Sequence, residues 1–115
     1  MKYFVDIDDT ICVTPNVDGV NRYDLSVPTK HRIEHINMLY DTGHHITYWT
    51  ARGSTTGIDW SNFTEEQLLS WGCKFHECLL GKPSFDVYVC DKSMNDRDFF
   101  NECDNEHGFA SRSSE

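Results

Sequence analysis

The residues best suited to chemistry come first: Asp6-Ile7-Asp8-Asp9-Thr10, directly behind the apolar run Tyr3-Phe4-Val5. Side chains two apart in extended chain point to the same side, so Asp6 and Asp8 share one. Two carboxylates that close repel, and the pair persists by sharing a proton or binding a cation. The carboxyl end of a buried parallel strand is also where open α/β sheets place their ligands. There one carboxylate can attack phosphorus while its neighbour handles protons and a divalent metal screens both. The opening residues point to phosphoryl chemistry.

Three further polar stations follow apolar stretches: Thr50 after residues 45–49, Lys82 after 77–80, and Asp91 after 87–90. A hydroxyl and an ammonium suit the non-bridging oxygens of a phosphoryl group, and a further carboxylate suits the oxygen shell of Mg²⁺. In a parallel sheet of βαβ units these strand ends share one edge, so the four stations can converge.

The elements needed to position them are legible in outline. Residues 2–6 read as a first strand and 11–27 as a loop or short hairpin, with Pro15 and Gly19. A helix starts near Pro28-Thr29, carries Ile33, Ile36 and Tyr40 on one face, and ends at Gly43. Residues 45–49 form a second strand, and Gly53 to Asp59 a loop. Thr64-Glu65-Glu66-Gln67 reads as a capping box that opens a short helix stopped by Gly72. Strands at 77–80 and 87–90 and a helical turn or two over 93–100 complete a domain of residues 1–103. The polar stretch 104–115 reads as a frayed C-terminal tail. Strands alternating with helices predict an α/β fold, with a mostly parallel central sheet in a three-layer, Rossmann-like arrangement.

Composition bounds the function. A chain of 115 residues has room for one domain, and 38% hydrophobic content suits a globular one. With 19 acidic and 10 basic residues the net charge is -9, which disfavours long nucleic acid or an anionic membrane surface as a partner. It leaves room for a small anionic substrate, since a metal ion and a few cations reverse the field locally. No apolar stretch reaches the length of a membrane span, and the acidic N-terminus is no signal peptide. Five cysteines without scaffold spacing read as reduced thiols, hence a cytoplasmic protein.

The order of the stations resembles the haloacid dehalogenase (HAD) superfamily of phosphohydrolases. Its Asp-x-Asp-x-Thr motif stands as Asp6-Ile7-Asp8-Asp9-Thr10, and its strand ending in Thr or Ser as Ile46-Thr47-Tyr48-Trp49-Thr50. Its Lys matches Lys82 in Gly81-Lys82-Pro83, and its acidic strand end matches Val87-Tyr88-Val89-Cys90-Asp91, with Asp96 beyond. Within the superfamily, Thr50-Ala51-Arg52-Gly53 and Gly81-Lys82-Pro83 look most like the small capless phosphatases found with capsular polysaccharide genes. Two positions depart: Cys90 stands where those relatives carry the first of two adjacent Asp, and Asp9 where many members have Gly.

The resemblance implies a Mg²⁺-dependent phosphomonoesterase acting through an aspartyl-phosphate. Asp6 would be the nucleophile and Asp8 the proton carrier, with Thr50 and Lys82 on the phosphate and Arg52 on the phosphate or the leaving group. Asp6, the Asp8 carbonyl and Asp91 would hold the metal, with Asp96 supporting that shell. The substrate would be a sugar phosphate or similar small metabolite. Caps in such enzymes sit after the first motif or between the second and third. Here the first slot holds only residues 11–27, room for a flap, and the second is filled by one helix and one strand. A capless, open site follows, with substrate choice left to the flap, the 53–62 loop or a neighbouring subunit of a homo-oligomer. Trp60 and Phe63 suit either stacking on a sugar or base, or the core.

Other readings compete. Receiver domains gather similar residues, but their phosphorylated Asp follows an apolar strand between the acidic pair and the Thr. Here Asp18, Asp24 and Asp41 do not. A nucleotide or nucleic-acid-end phosphatase of the same superfamily shares these motifs, and a non-catalytic phosphate-binding module would explain Cys90. His31 and His35, one helical turn apart, lack a third zinc ligand nearby, and Cys73, His76 and Cys78 lack a second half at zinc-finger spacing.

Overall fold

A computed structural model describes residues 1–108. The chain opens with β1 (Lys2–Val5), followed by four two-residue strands: β2 (Cys12–Val13), β3 (Asn16–Val17), β4 (Val20–Asn21) and β5 (Val27–Pro28). Next come α1 (Lys30–Asp41), β6 (His45–Trp49), α2 (Ser61–Ser70) and β7 (Glu77–Leu79), and the chain closes with α3 (Asp96–Phe99) and α4 (Asn101–Glu106). The main sheet has the order β1-β6-β7 and both pairings are parallel. Two crossovers in the same direction put α1 and α2 on the same face. The class is α/β and Rossmann-like, and no cap domain stands among the described residues.

That face carries the core. Val5, Ile46 and Tyr48 point from the sheet toward Ile33 and Ile36 of α1 and Leu68 of α2. Ile36, Ile46, Tyr48 and Leu68 are all 0% exposed, and burying an Ile or Leu side chain is worth about 2 kcal/mol. Phe100, between α3 and α4, joins the same cluster, with His35 of α1 edge-on to its ring at 5.8 Å. The opposite face bears Phe4 and Trp49, whose rings meet edge-on at 5.8 Å. Helix α1 ends as its sequence suggests, with Gly43 taking φ +101 just beyond it.

The expected flap forms as a two-tier hairpin. β2 pairs with β5 at its base and β3 with β4 at its tip, turning through Asp18 (φ 53) and Gly19 (φ 81). Positive φ at both central residues is what a tight two-residue hairpin needs, and Asp-Gly supplies it.

Three sequence expectations are corrected. The strand expected at 87–90 is absent: the segment is irregular, and Val87 and Val89 are 77% and 91% exposed. Its β-branched pattern has no ladder partner, and a strand is stable only when paired. The helix expected to open at a Thr64 capping box instead begins at Ser61, where Asp59 Oδ1 accepts from the Ser61 amide at 2.9 Å. Thr64 lies inside that helix, fully buried. The tail expected from Asp104 starts later, because α4 runs to Glu106 and Asp104 is buried in it. Residues 109–115 of that tail lie outside the described residues. No described helix is long and apolar enough to cross a membrane.

Candidate active site

The register aligns the strand ends. Val5 lies opposite Tyr48 and Trp49 opposite Leu79, so Asp6, Thr50 and the segment leading to Lys82 leave the sheet at one edge. The Thr50 amide donates to the Leu79 carbonyl at 3.0 Å, and the Lys82 amide to the Thr50 carbonyl at 3.2 Å. Gly81, at φ +87, makes the turn that brings Lys82 back toward Thr50.

Asp6 and Lys82 meet here, with Lys82 Nζ 3.6 Å from Asp6 Oδ1. The other oxygen, Asp6 Oδ2, accepts from Thr10 Oγ1 at 3.3 Å. Burial pushes the Asp6 carboxyl above the usual range; the Lys82 charge pulls it down without winning, and the Asp8 charge adds to the rise. Lys82 Nζ also lies 5.5 Å from the Trp49 and Phe85 ring centroids, which confine it to this side.

The turn behind Asp6 explains the second departure. Asp9 adopts φ 62, a left-handed conformation that glycine takes freely and Asp tolerates. The Asp9 carboxylate holds the turn by accepting from the Thr14 amide at 3.3 Å, while the Ile7 carbonyl takes the Thr10 and Ile11 amides at 3.1 and 3.0 Å.

Thr50 is 1% exposed, and its Oγ1 accepts from the Arg52 amide at 3.1 Å, which leaves its hydroxyl hydrogen to donate. Arg52, expected on the phosphate or the leaving group, is instead buried and grips Asp8. Its Nε donates to Asp8 Oδ2 at 3.0 Å and its Nη2 to Asp8 Oδ1 at 2.8 Å. Asp8 Oδ1 also accepts from Thr14 Oγ1 of the flap at 2.5 Å. Thr64 and Gln67, the two ends of the supposed capping box, both serve Arg52, accepting from Nη1 at 3.2 and 2.8 Å.

The remaining two site residues stand apart. Asp91 is exposed in the loop before α3, its Oδ1 3.8 Å from Cys90 Sγ, and it is bonded to none of Asp6, Asp8, Thr50 or Lys82. Asp96 accepts from Arg32 Nη1 at 2.7 Å, and the same Nη1 donates to the Thr10 carbonyl at 2.9 Å. Asp96 thus braces the turn behind Asp6 through Arg32. Arg32, 0% exposed, is the residue that sequence reading missed most plainly; it also grips Asp104 through Nε at 3.0 Å and Nη2 at 2.5 Å. Its only sequence signal is an Arg beside Ile33 in a helix whose core face includes that position.

The Asp6 carboxylate and the Asp8 carbonyl, at the end of β1, are oxygen donors of the kind a hard divalent cation would take. Among the described residues the Asp6, Asp8 and Asp91 carboxylates do not gather within 4.8 Å of one another. Among the described residues the His31, Cys103 and Asp104 ligand atoms lie within 4.8 Å of one another, which supplies the neighbours that His31 lacked in sequence. Both Asp104 oxygens are taken by Arg32, so the cluster is an ion-pair network joining α1 to α4.

Trp60 serves packing: its ring meets Phe63 at 5.3 Å and Tyr23 of the flap at 5.1 Å. A groove of about 180 Å³ opens beside Arg52, lined by Gly53, Ile58, Asp59 and Gly81.

No family model and no curated protein matches the chain. Among solved structures it is similar to a Vibrio cholerae protein known from its crystal structure, with a TM-score of 0.68 and 22% identity. That likeness covers 90% of this chain and 94% of the other, and shows a common fold.

Proposed function

We infer that the chain is a capless phosphomonoesterase of the HAD type, Mg²⁺-dependent, acting through an aspartyl-phosphate on a sugar phosphate or similar small metabolite. The observation that carries this reading is the convergence of Asp6, Thr50 and Lys82 on one sheet edge, with Lys82 Nζ 3.6 Å from the Asp6 carboxylate. The five cysteines, all free, support a reducing, cytoplasmic setting.

In this reading an Asp6 oxygen attacks phosphorus, forming the Asp6 O–P bond as the bond to the leaving oxygen breaks. Thr10, bonded to Asp6 Oδ2, keeps the carboxylate turned toward the substrate. The Thr50 hydroxyl and Lys82 ammonium hold the non-bridging oxygens. Asp8 gives a proton to the leaving oxygen, then takes one from the water that hydrolyses the aspartyl-phosphate. When bound, Mg²⁺ neutralises charge on Asp6 and on the phosphoryl group.

The test is turnover of p-nitrophenyl phosphate by purified protein with Mg²⁺ and with EDTA, beside Asp6→Asn. Metal-dependent turnover that Asp6→Asn abolishes is expected. Turnover surviving in Asp6→Asn refutes the mechanism, and none in the wild type with any divalent metal refutes the activity.

A further inference from the structure

Arg52 deserves a role different from the one its motif suggests. Its side chain is 0% exposed, and four of its five N–H donors are committed: Nε and Nη2 to Asp8, and two on Nη1 to Thr64 and Gln67. The guanidinium lies 4.5 Å from the ring centroid of Tyr23, stacked under the flap. Gln67 closes the circuit by donating from Nε2 to the Tyr23 carbonyl at 2.8 Å. From the other side Thr14 holds Asp8 and shares a hydrogen bond with Ser26 at 2.7 Å, both flap residues. Only one Nη2 hydrogen is left over, so a two-pronged grip on a phosphoryl group would require displacing Asp8 or helix α2.

We propose that Arg52 is a positioning residue, which aims the Asp8 carboxylate at the leaving oxygen and ties that aim to the closed flap, and that it does not bind the phosphoryl group. This rests on the phosphatase reading of the site. Its consequence is specific to proton transfer. An ester whose leaving oxygen needs a proton depends on Asp8 when its bond breaks, whereas p-nitrophenolate departs without one. Loosening Arg52 therefore penalises poor leaving groups selectively, while phosphate affinity, set by Thr50 and Lys82, stays put.

The experiment compares wild type, Arg52→Lys and Gln67→Leu on p-nitrophenyl phosphate and phenyl phosphate, with inhibition by inorganic phosphate as the binding readout. Lys keeps the charge and loses the two-pronged grip. In Arg52→Lys, kcat/KM for phenyl phosphate is expected to fall by about 10²-fold, near the low end of general-acid contributions, and for p-nitrophenyl phosphate by less than about threefold. The inhibition constant for phosphate is expected to hold. Gln67→Leu, a milder change for folding, is expected to show the same selectivity at smaller size, and it decides the matter if Arg52→Lys does not fold. Equal losses on both esters, no loss on either, or weakened phosphate inhibition overturns the positioning role while leaving the phosphatase reading intact. A wild type without Asp6-dependent turnover overturns that reading and this proposal together.

Discussion

Replacing Arg32 by Met tests what holds the turn behind Asp6. Met keeps the apolar stem length and removes the guanidinium. Asp104, whose side chain is 10% exposed, then loses both bonds from Arg32 and keeps only His31 Nε2 at 2.6 Å. Asp96 and the Thr10 carbonyl each lose a donor as well. Breaking one side of a buried ion pair costs about 3–5 kcal/mol, and an orphaned carbonyl about 1 more. His31 offsets part of this, so about 4 kcal/mol is expected for Arg32→Met. That is a large share of the roughly 5–15 kcal/mol a domain has, and at about 4 °C per kcal/mol it lowers Tm by about 15 °C. Urea unfolding followed by far-UV circular dichroism measures it, on the single variants and on Arg32→Met/Asp104→Leu. Removing both charges should restore more than half the loss, because no unpaired buried carboxylate remains at position 104. A single-variant cost below about 1 kcal/mol, or simple additivity in the double variant, refutes the reasoning.

Further expectations concern pH, thiols and one glycine. Burial pushes the Asp104 carboxyl up, but hydrogen bonds from Arg32 and His31 outweigh it and hold it below its ordinary 3.8. A depressed folded-state value stabilises the fold above pH 3.8 and loses that contribution as pH falls through the lower value. The urea midpoint should therefore drop more steeply below pH 3.8 in wild type than in Asp104→Asn, and parallel slopes would contradict it. Burial pushes the thiols of Cys12 and Cys73 up to about 11 and about 12, while Cys90 is exposed. Ellman's reagent at neutral pH should label Cys90 first and reach Cys12 and Cys73 only on unfolding; comparable native rates would show the core open. Gly53 takes φ +81, and a Cβ there would stand 2.1 Å from the Ile58 carbonyl oxygen, whereas Gly57, at φ +77, has open space around it. Gly53→Ala should cost about 2 kcal/mol more than Gly57→Ala in thermal unfolding, and equal costs would mean the 53–58 loop yields freely.

The polar stations behind β1 and β6 were legible because their signals are local. An apolar strand followed by Asp-x-Asp-x-Thr puts its carboxylates at the strand's C-terminal end, whatever else the protein does. The flap was legible for the same reason, through Pro15 and Gly19. The segment at 87–90 has an equally good strand pattern and forms none, since pairing depends on a partner that no local pattern supplies. Thr64 and Gln67 have the spacing of a cap, but Arg52 recruits both hydroxyl and amide, and the helix begins a turn earlier.

By itself the sequence determined the alternation of strands and helices through residue 80, the acidic pair behind the first strand, and a short flap after it. What the arginines do was decided only by the tertiary structure. Arg52 meets Asp8 across 44 residues of chain, and Arg32 meets Asp104 across 72. A buried guanidinium must find acceptors for its donors wherever the fold provides them, and that choice depends on which elements pack together. Strand and helix periods are properties of a few neighbouring residues; ion pairing between distant segments exists only once the core has brought them into contact.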